Sequence, residues 1–252
     1  MQTLRMSSLI LAGALAASPS LADEVRVIGT GAVQHSINAV AKAFESETGD
    51  KITARFGTAG AVSKMFEAGE DADVLVSSAG GVKDIAGKGK LAAGEPTPVG
   101  KVRIGIGVCN GAKFDTATPE ALKAALLSVP AFAYGDPASG ATTGVHFAKL
   151  IDQLCVADAV KGKAMLRNGG LEVMKEVAAG KAAFGVTQTS EIITQPGCTV
   201  AGFLPDSMQL VTTYSAQLTK TAKTPSAQKF LTFLTSAKGA EIFRKEGFEP
   251  VR

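Results

Sequence analysis

Val27-Ile-Gly-Thr-Gly-Ala-Val33 and Phe56-Gly-Thr-Ala-Gly-Ala-Val62 are spelled almost alike. Each follows an apolar run of strand character and opens a segment with helical periodicity. Asp136-Pro-Ala-Ser-Gly-Ala-Thr-Thr-Gly144 repeats the design with hydroxyls added. A strand, a tight glycine turn and a helix start leave unpaired N–H groups at the positive end of the helix dipole. Such turns attract anions. The three turns contain neither Lys nor Arg, so an anion between them is held mainly by dipoles and hydroxyls.

Two familiar anion motifs do not fit. None of the turns ends in the Gly-Lys-Ser/Thr of a P-loop. Gly29-Thr-Gly31-Ala-Val-Gln34 has glutamine where the dinucleotide fingerprint has its third glycine.

Strand and helix signals alternate outward from these turns. Strands are expected at Val25–Ile28, Lys51–Phe56 and Asp73–Val76. Helices are expected from Val33 to Glu47, from Val62 to Gly69, and at Val82–Gly87. This order predicts a parallel sheet covered on both faces. A Gly/Pro break from Leu91 to Gly100 reads as a crossover to a second series. That series has strands at Lys101–Val108, Ala131–Gly135, Ala182–Thr187 and Val200–Leu204. Its helices fall at Thr118–Leu127, Thr143–Cys155, Leu171–Ala179 and Ser190–Thr194. After Pro205 comes a strand at Leu210–Leu218, then helices around Ser226–Thr235 and Lys238–Glu246, which return towards the first series. The expected architecture is therefore two α/β lobes, with residues 23–99 and 206–252 in one and 100–205 in the other.

The first residues have the form of an export signal. Arg5 supplies the positive region, Leu9–Ala17 the apolar one, and Ser20-Leu21-Ala22 a cleavage site after Ala22. The apolar run is too short to span a bilayer. The mature chain of about 230 residues is expected to be soluble and periplasmic. A net charge of +3, two tyrosines, no tryptophan and no basic stripe argue against nucleic acid as a partner. Cys109, Cys155 and Cys198 are an odd set without metal spacing. One pair can bridge in an oxidising compartment, and the sequence does not choose which. Two histidines far apart argue against a zinc site, and neither metal nor cofactor is expected.

Several segments together resemble the periplasmic type II solute-binding proteins, in particular their molybdate-binding-like branch. They are Val25–Phe44, Phe56-Gly-Thr-Ala-Gly60, Phe66-Glu-Ala-Gly-Glu-Asp-Ala-Asp-Val-Leu-Val-Ser77, Gly135-Asp-Pro137 and Ala179-Gly-Lys-Ala-Ala-Phe-Gly-Val186. The resemblance implies two lobes, each a parallel-rich sheet flanked by helices, joined by a hinge of two strands and clamping a ligand between them. It also implies delivery to an ABC transporter permease, by a protein expected to be a monomer.

The molybdate site itself does not carry over. Ala32 stands where the branch brings a serine, Thr58-Ala59-Gly60 where it is serine-rich, and Thr187-Gln-Thr-Ser190 where a tyrosine is expected. Planar carboxylates, such as those of a tricarboxylic acid, are the natural substitute for a tetrahedral oxyanion there. Ligand contacts are accordingly expected from Gly31, Ala32, Thr58, Ala59, Gly60 and Ser77. Further contacts are expected from Ser139, Gly140, Thr142, Thr143, Arg167 and Gln188, with Arg167 suited to pair with a carboxylate. A neighbouring branch with this type of sequence includes the periplasmic aconitate isomerases, which interconvert trans- and cis-aconitate by an allylic proton shift. On that alternative, His35 and His146, each just after a glycine turn, are the candidate proton-transfer groups. Binding of molybdate or tungstate is the third expectation.

Overall fold

The structure, a computed structural model, describes residues 22–251. The expected export segment lies, apart from Ala22, outside the described residues. In chain order, β1 (Glu24–Thr30) passes through a 3-10 turn, Gly31–Val33, into α1 (Gln34–Thr48). Next come β2 (Lys51–Gly57), α2 (Ala59–Glu67), β3 (Val74–Ser78), α3 (Ala79–Gly87) and β4 (Thr97–Val102). The middle of the chain holds β5 (Ile104–Val108), α4 (Pro119–Ser128), β6 (Phe132–Gly135), α5 (Thr142–Gln153), α6 (Ala157–Val160) and β7 (Ala164–Arg167). It continues through α7 (Gly170–Ala178), β8 (Gly185–Gln188), α8 (Thr189–Ile193) and β9 (Thr199–Phe203). The chain closes with β10 (Thr212–Leu218), α9 (Pro225–Leu234) and α10 (Ala237–Lys245).

The strands form two sheets, ordered β2-β1-β3-β10-β4 and β7-β6-β8-β5-β9. In the first, β1 runs parallel to β2 and β3, and β10 is antiparallel to β3 and β4. In the second, β6 runs parallel to β7 and β8, and β5 is antiparallel to β8 and β9. The chain crosses between sheets at Arg103 and again between β9 and β10. The expected single strand Lys101–Val108 is thus two strands, one in each sheet. Residues 100–102, expected in the second lobe, pair in the first sheet.

Side chains alternate across each strand. Val25 and Val27 of β1 and Val74 and Val76 of β3 pack with Ile37, Val40 and Phe44 of α1 and with the closing helices. Ile28 and Leu75 point to the opposite face, against Val62 and Phe66 of α2 and Val82 and Ile85 of α3. In the second lobe, Phe132 and Tyr134 join Ile104, Ile106, Phe147 and Phe184 on one face. Ala133 meets Val173, Met174 and Ile192 on the other. Cys109 and Cys198 are joined as a disulfide beside the Val108–Thr199 register pair, tying β9 to β5, and Cys155 is free and exposed. Among the described residues no helix is long and apolar enough to cross a membrane.

The closing helices belong to the first lobe because of an aromatic clasp. Phe44 meets the rings of Phe230 and Phe233 edge-on at 5.3 and 5.6 Å. Emptying that site should leave a cavity at the seam between the N- and C-terminal parts of the chain. We expect Phe44→Ala to lower the unfolding free energy by about 3–5 kcal/mol, measured by urea denaturation.

Candidate functional site

The carboxyl ends of the parallel strands face the gap between the sheets, and each opens into a helix start. Four such starts converge there: the turn before α1, and the first turns of α2, α5 and α7. They line one cavity of about 180 Å³ through Gly31, Thr58, Thr142 and Gly170. Phe56, Ala32, Ala59, Ala141 and Leu171 supply apolar wall, and Gln34, Asn168, Glu172, Gln188, Glu191 and Tyr214 are among its polar residues. Among the described residues that line it there is no Lys, Arg or His. Any attraction for an anion in the cavity therefore has to come from backbone N–H groups at helix ends.

The two lobes touch at the rim of this cavity. Gly60 N–H donates to the Gly140 carbonyl across 3.3 Å, and the Thr58 hydroxyl donates to the Ser139 carbonyl. Thr58 also caps α2 by accepting from Ala61 N–H at 3.1 Å. A Cβ on Gly60 would lie 2.7 Å from the Ser139 carbonyl oxygen, so glycine is what lets the two turns meet.

A polar group from each lobe meets inside. The Tyr214 hydroxyl of β10 donates to Gln188 Oε1 of β8 at 2.7 Å. That bond fixes the amide, whose Nε2 has no hydrogen-bond partner among the described residues although Gln188 is 3% exposed. Burial, then the adjacent Glu191 charge, pushes the Tyr214 hydroxyl well above its usual range, so it acts as a donor. Glu191, on α8, accepts from the Thr187 hydroxyl at 2.5 Å. Burial pushes its carboxyl up, while Thr187 and the N–H groups of Gln188 and Gly170 pull it back down. Gly170 makes room for it: a Cβ there would fall 2.0 Å from Glu191 Oε2.

The expected site residues divide into groups. Gly31, Ala32, Thr58, Ala59, Thr142, Thr143 and Gln188 line the cavity. Gly60, Ser139 and Gly140 instead form the contact between lobes. Ser77 is fully buried in β3 with its hydroxyl packed beside the first turn of α3, away from the cavity. Arg167 is also elsewhere: its guanidinium donates to Glu176 at 3.0 Å and to the Leu166 carbonyl at 2.6 Å. What reaches the cavity is the following turn, Asn168-Gly169-Gly170. Neither histidine lines the cavity. His35 is exposed on α1, and His146, a turn further along α5 than Thr142, donates from Nε2 to the Met208 carbonyl at 2.7 Å. Their expected place at the site is corrected accordingly. Glu191 and Tyr214 were not expected at all. The available signal for Glu191 was a lone carboxylate in the otherwise uncharged run Ala182–Thr194.

Removing the tyrosine hydroxyl isolates what it does. Tyr214→Phe leaves the Gln188 carbonyl oxygen buried without its donor. We expect a loss of about 1–3 kcal/mol in urea denaturation.

The profile of the bacterial extracellular solute-binding proteins matches residues 25–249. An aconitate isomerase from Pseudomonas sp is 29% identical over 259 residues, covering 99% of this chain and 96% of that protein. The molybdate-binding protein ModA of Escherichia coli (strain K12) is 22% identical, covering 92% of each. The periplasmic molybdate-binding protein of Azotobacter vinelandii superposes with a TM-score of 0.72 at 17% identity, over 90% of this chain and all of that one. At that identity the superposition shows a shared fold. With the profile spanning nearly every described residue, the chain belongs to the bacterial extracellular solute-binding protein family.

Proposed function

We propose that the cavity captures a small polycarboxylate, which the protein delivers to a membrane transporter of the ABC class. The supporting observation is the convergence of four helix starts on one cavity that, among the described residues, is lined by no cationic side chain. Backbone N–H groups bind a carboxylate without the strong desolvation cost of burying a Lys or Arg. The alternation of helix ends with Ala32, Phe56, Ala59, Ala141 and Leu171 suits charges separated by a hydrocarbon frame. A tetrahedral oxyanion wants donors on every side. It would face methyl groups at Ala32 and Ala59, and the Thr58 hydroxyl already serves Ala61 and Ser139.

Ligand that binds the closed form stabilises it by mass action. At about a hundred times Kd, trans-aconitate or citrate should raise Tm by roughly 5–10 °C, with little effect of molybdate. A larger shift with molybdate would overturn the carboxylate reading. Closure itself is tested by Gly60→Ala, which forces the two turns apart. We expect it to weaken tricarboxylate binding tenfold or more in calorimetry, with the Tm of the ligand-free protein changed by no more than a few degrees.

A second reading, aconitate isomerisation, is favoured by two observations. The Pseudomonas relative matches essentially end to end, and the cavity wall carries an ionisable carboxyl, Glu191. An allylic shift needs a group that removes a proton from one carbon and returns one at the other end. Incubating purified protein with trans-aconitate and following the cis isomer by chromatography decides it: no product leaves the capture reading alone.

A further inference from the structure

A buried carboxyl at a site for anions needs its own explanation. Glu191 is 6% exposed and lies on the wall of the cavity. Its Oε2 is held by Thr187, and its Oε1 lies 3.3 Å from where a Cβ on Gly31 would stand, under the first glycine turn. A carboxylate ligand drawn to that helix start would come to rest against Glu191. Two like charges closed into one site do not both stay ionised; one proton is retained between them.

We propose that Glu191 and the bound carboxylate share one proton, so that each ligand captured takes up a proton from solvent. This inference rests on the polycarboxylate reading above. When the lobes part, water reaches Glu191 and it ionises. On closure around the ligand, a solvent acid transfers a proton to Glu191 Oε1, forming an O–H bond that donates to a ligand oxygen. On opening, the same proton returns to water, and no electrons change hands.

Among the described residues, no cation on the elements packed against α8 is directed at Glu191 to replace that proton. The strands packed against α8, namely β5, β8 and β9, and the turn Gly31–Val33 contain no ionisable residue. Arg103, just before β5, stacks over Phe203 and pairs with Glu249. On α7, Glu172 is exposed at the cavity and accepts from Asn168 N–H at 3.2 Å; Lys175 is exposed, and Glu176 pairs with Arg167 and Lys181. From β10 the facing group is Tyr214, whose hydroxyl is engaged by Gln188. The upward push of burial on the Glu191 carboxyl agrees with this arrangement.

The test is titration calorimetry of the mature protein with trans-aconitate and with citrate. It uses two buffers of different ionisation enthalpy, at several pH values above the ligands' own titration range. We expect close to one proton taken up per ligand, and an affinity falling about tenfold for each pH unit above the pKa of Glu191 in the open protein. In Glu191→Gln the amide donates permanently, so uptake and the pH slope should both disappear. Wild-type binding with no uptake and no slope would overturn the shared proton and leave the polycarboxylate reading standing. Uptake that survives in Glu191→Gln would also overturn it. No binding of either acid by the wild type would overturn the polycarboxylate reading and this inference with it. The wild-type uptake is read directly, so the result stands even if the variant folds poorly.

Discussion

Two turns from different lobes meet backbone to backbone, with the Thr58 hydroxyl as the bridging side chain, and the site depends on that meeting. Gly60 and Gly140 approach closely enough for an N–H to reach a carbonyl, and the Thr58 hydroxyl bridges to the next carbonyl along. With the turns in register, the helix starts behind them come together around one volume. A methyl group at that contact would hold the lobes apart, and the helix ends would each face water separately. The catch combines a main-chain bond with one short hydroxyl, so its geometry depends on turn conformation and on the single rotamer of Thr58.

The electrostatics follow from that closure. Helix ends supply partial positive charge in several directions, and a donor amide at Gln188 is aimed by Tyr214 of the other lobe. The protein then places an acidic group, Glu191, inside the field it has built. The field favours its ionised form and burial favours its neutral form. The balance shifts with how much water the cleft admits, which makes the protonation of this residue a function of lobe position.

Much of the architecture was legible because its signals are local. Alternating strand and helix periods, with glycine turns at their joints, gave both lobes and the return of the C-terminal helices. The misreadings also have physical causes. β4 lies in a Gly/Pro stretch that reads as a loop, yet it is an edge strand, where Pro98 is tolerated because its missing N–H need not serve a neighbour. β7 is four residues long and carries too little pattern to register. The change of sheet at Arg103, between two apolar runs, is a tertiary event with no local mark. At the site, the glycine turns announced themselves, but side-chain reach did not. Arg167 is drawn away by Glu176, and His146 by a carbonyl more than sixty residues on. Glu191 was hidden by its type, since a glutamate on a short helix is ordinarily solvated.

The order of the strands also sets the order in which the molecule can be finished. The second sheet is drawn from one uninterrupted stretch, β5 to β9, so all its partners exist once residue 203 has been made. The first sheet is different: β3 and β4 each pair with β10, which comes last. Until Leu218 emerges, the buried edge of β3, with Val74, Leu75 and Val76, has no neighbour on that side. The first sheet therefore cannot be completed until β10 is available to it. An unpaired β3 edge of this apolar kind is an aggregation hazard, and the strand that covers it comes from the last fifth of the sequence.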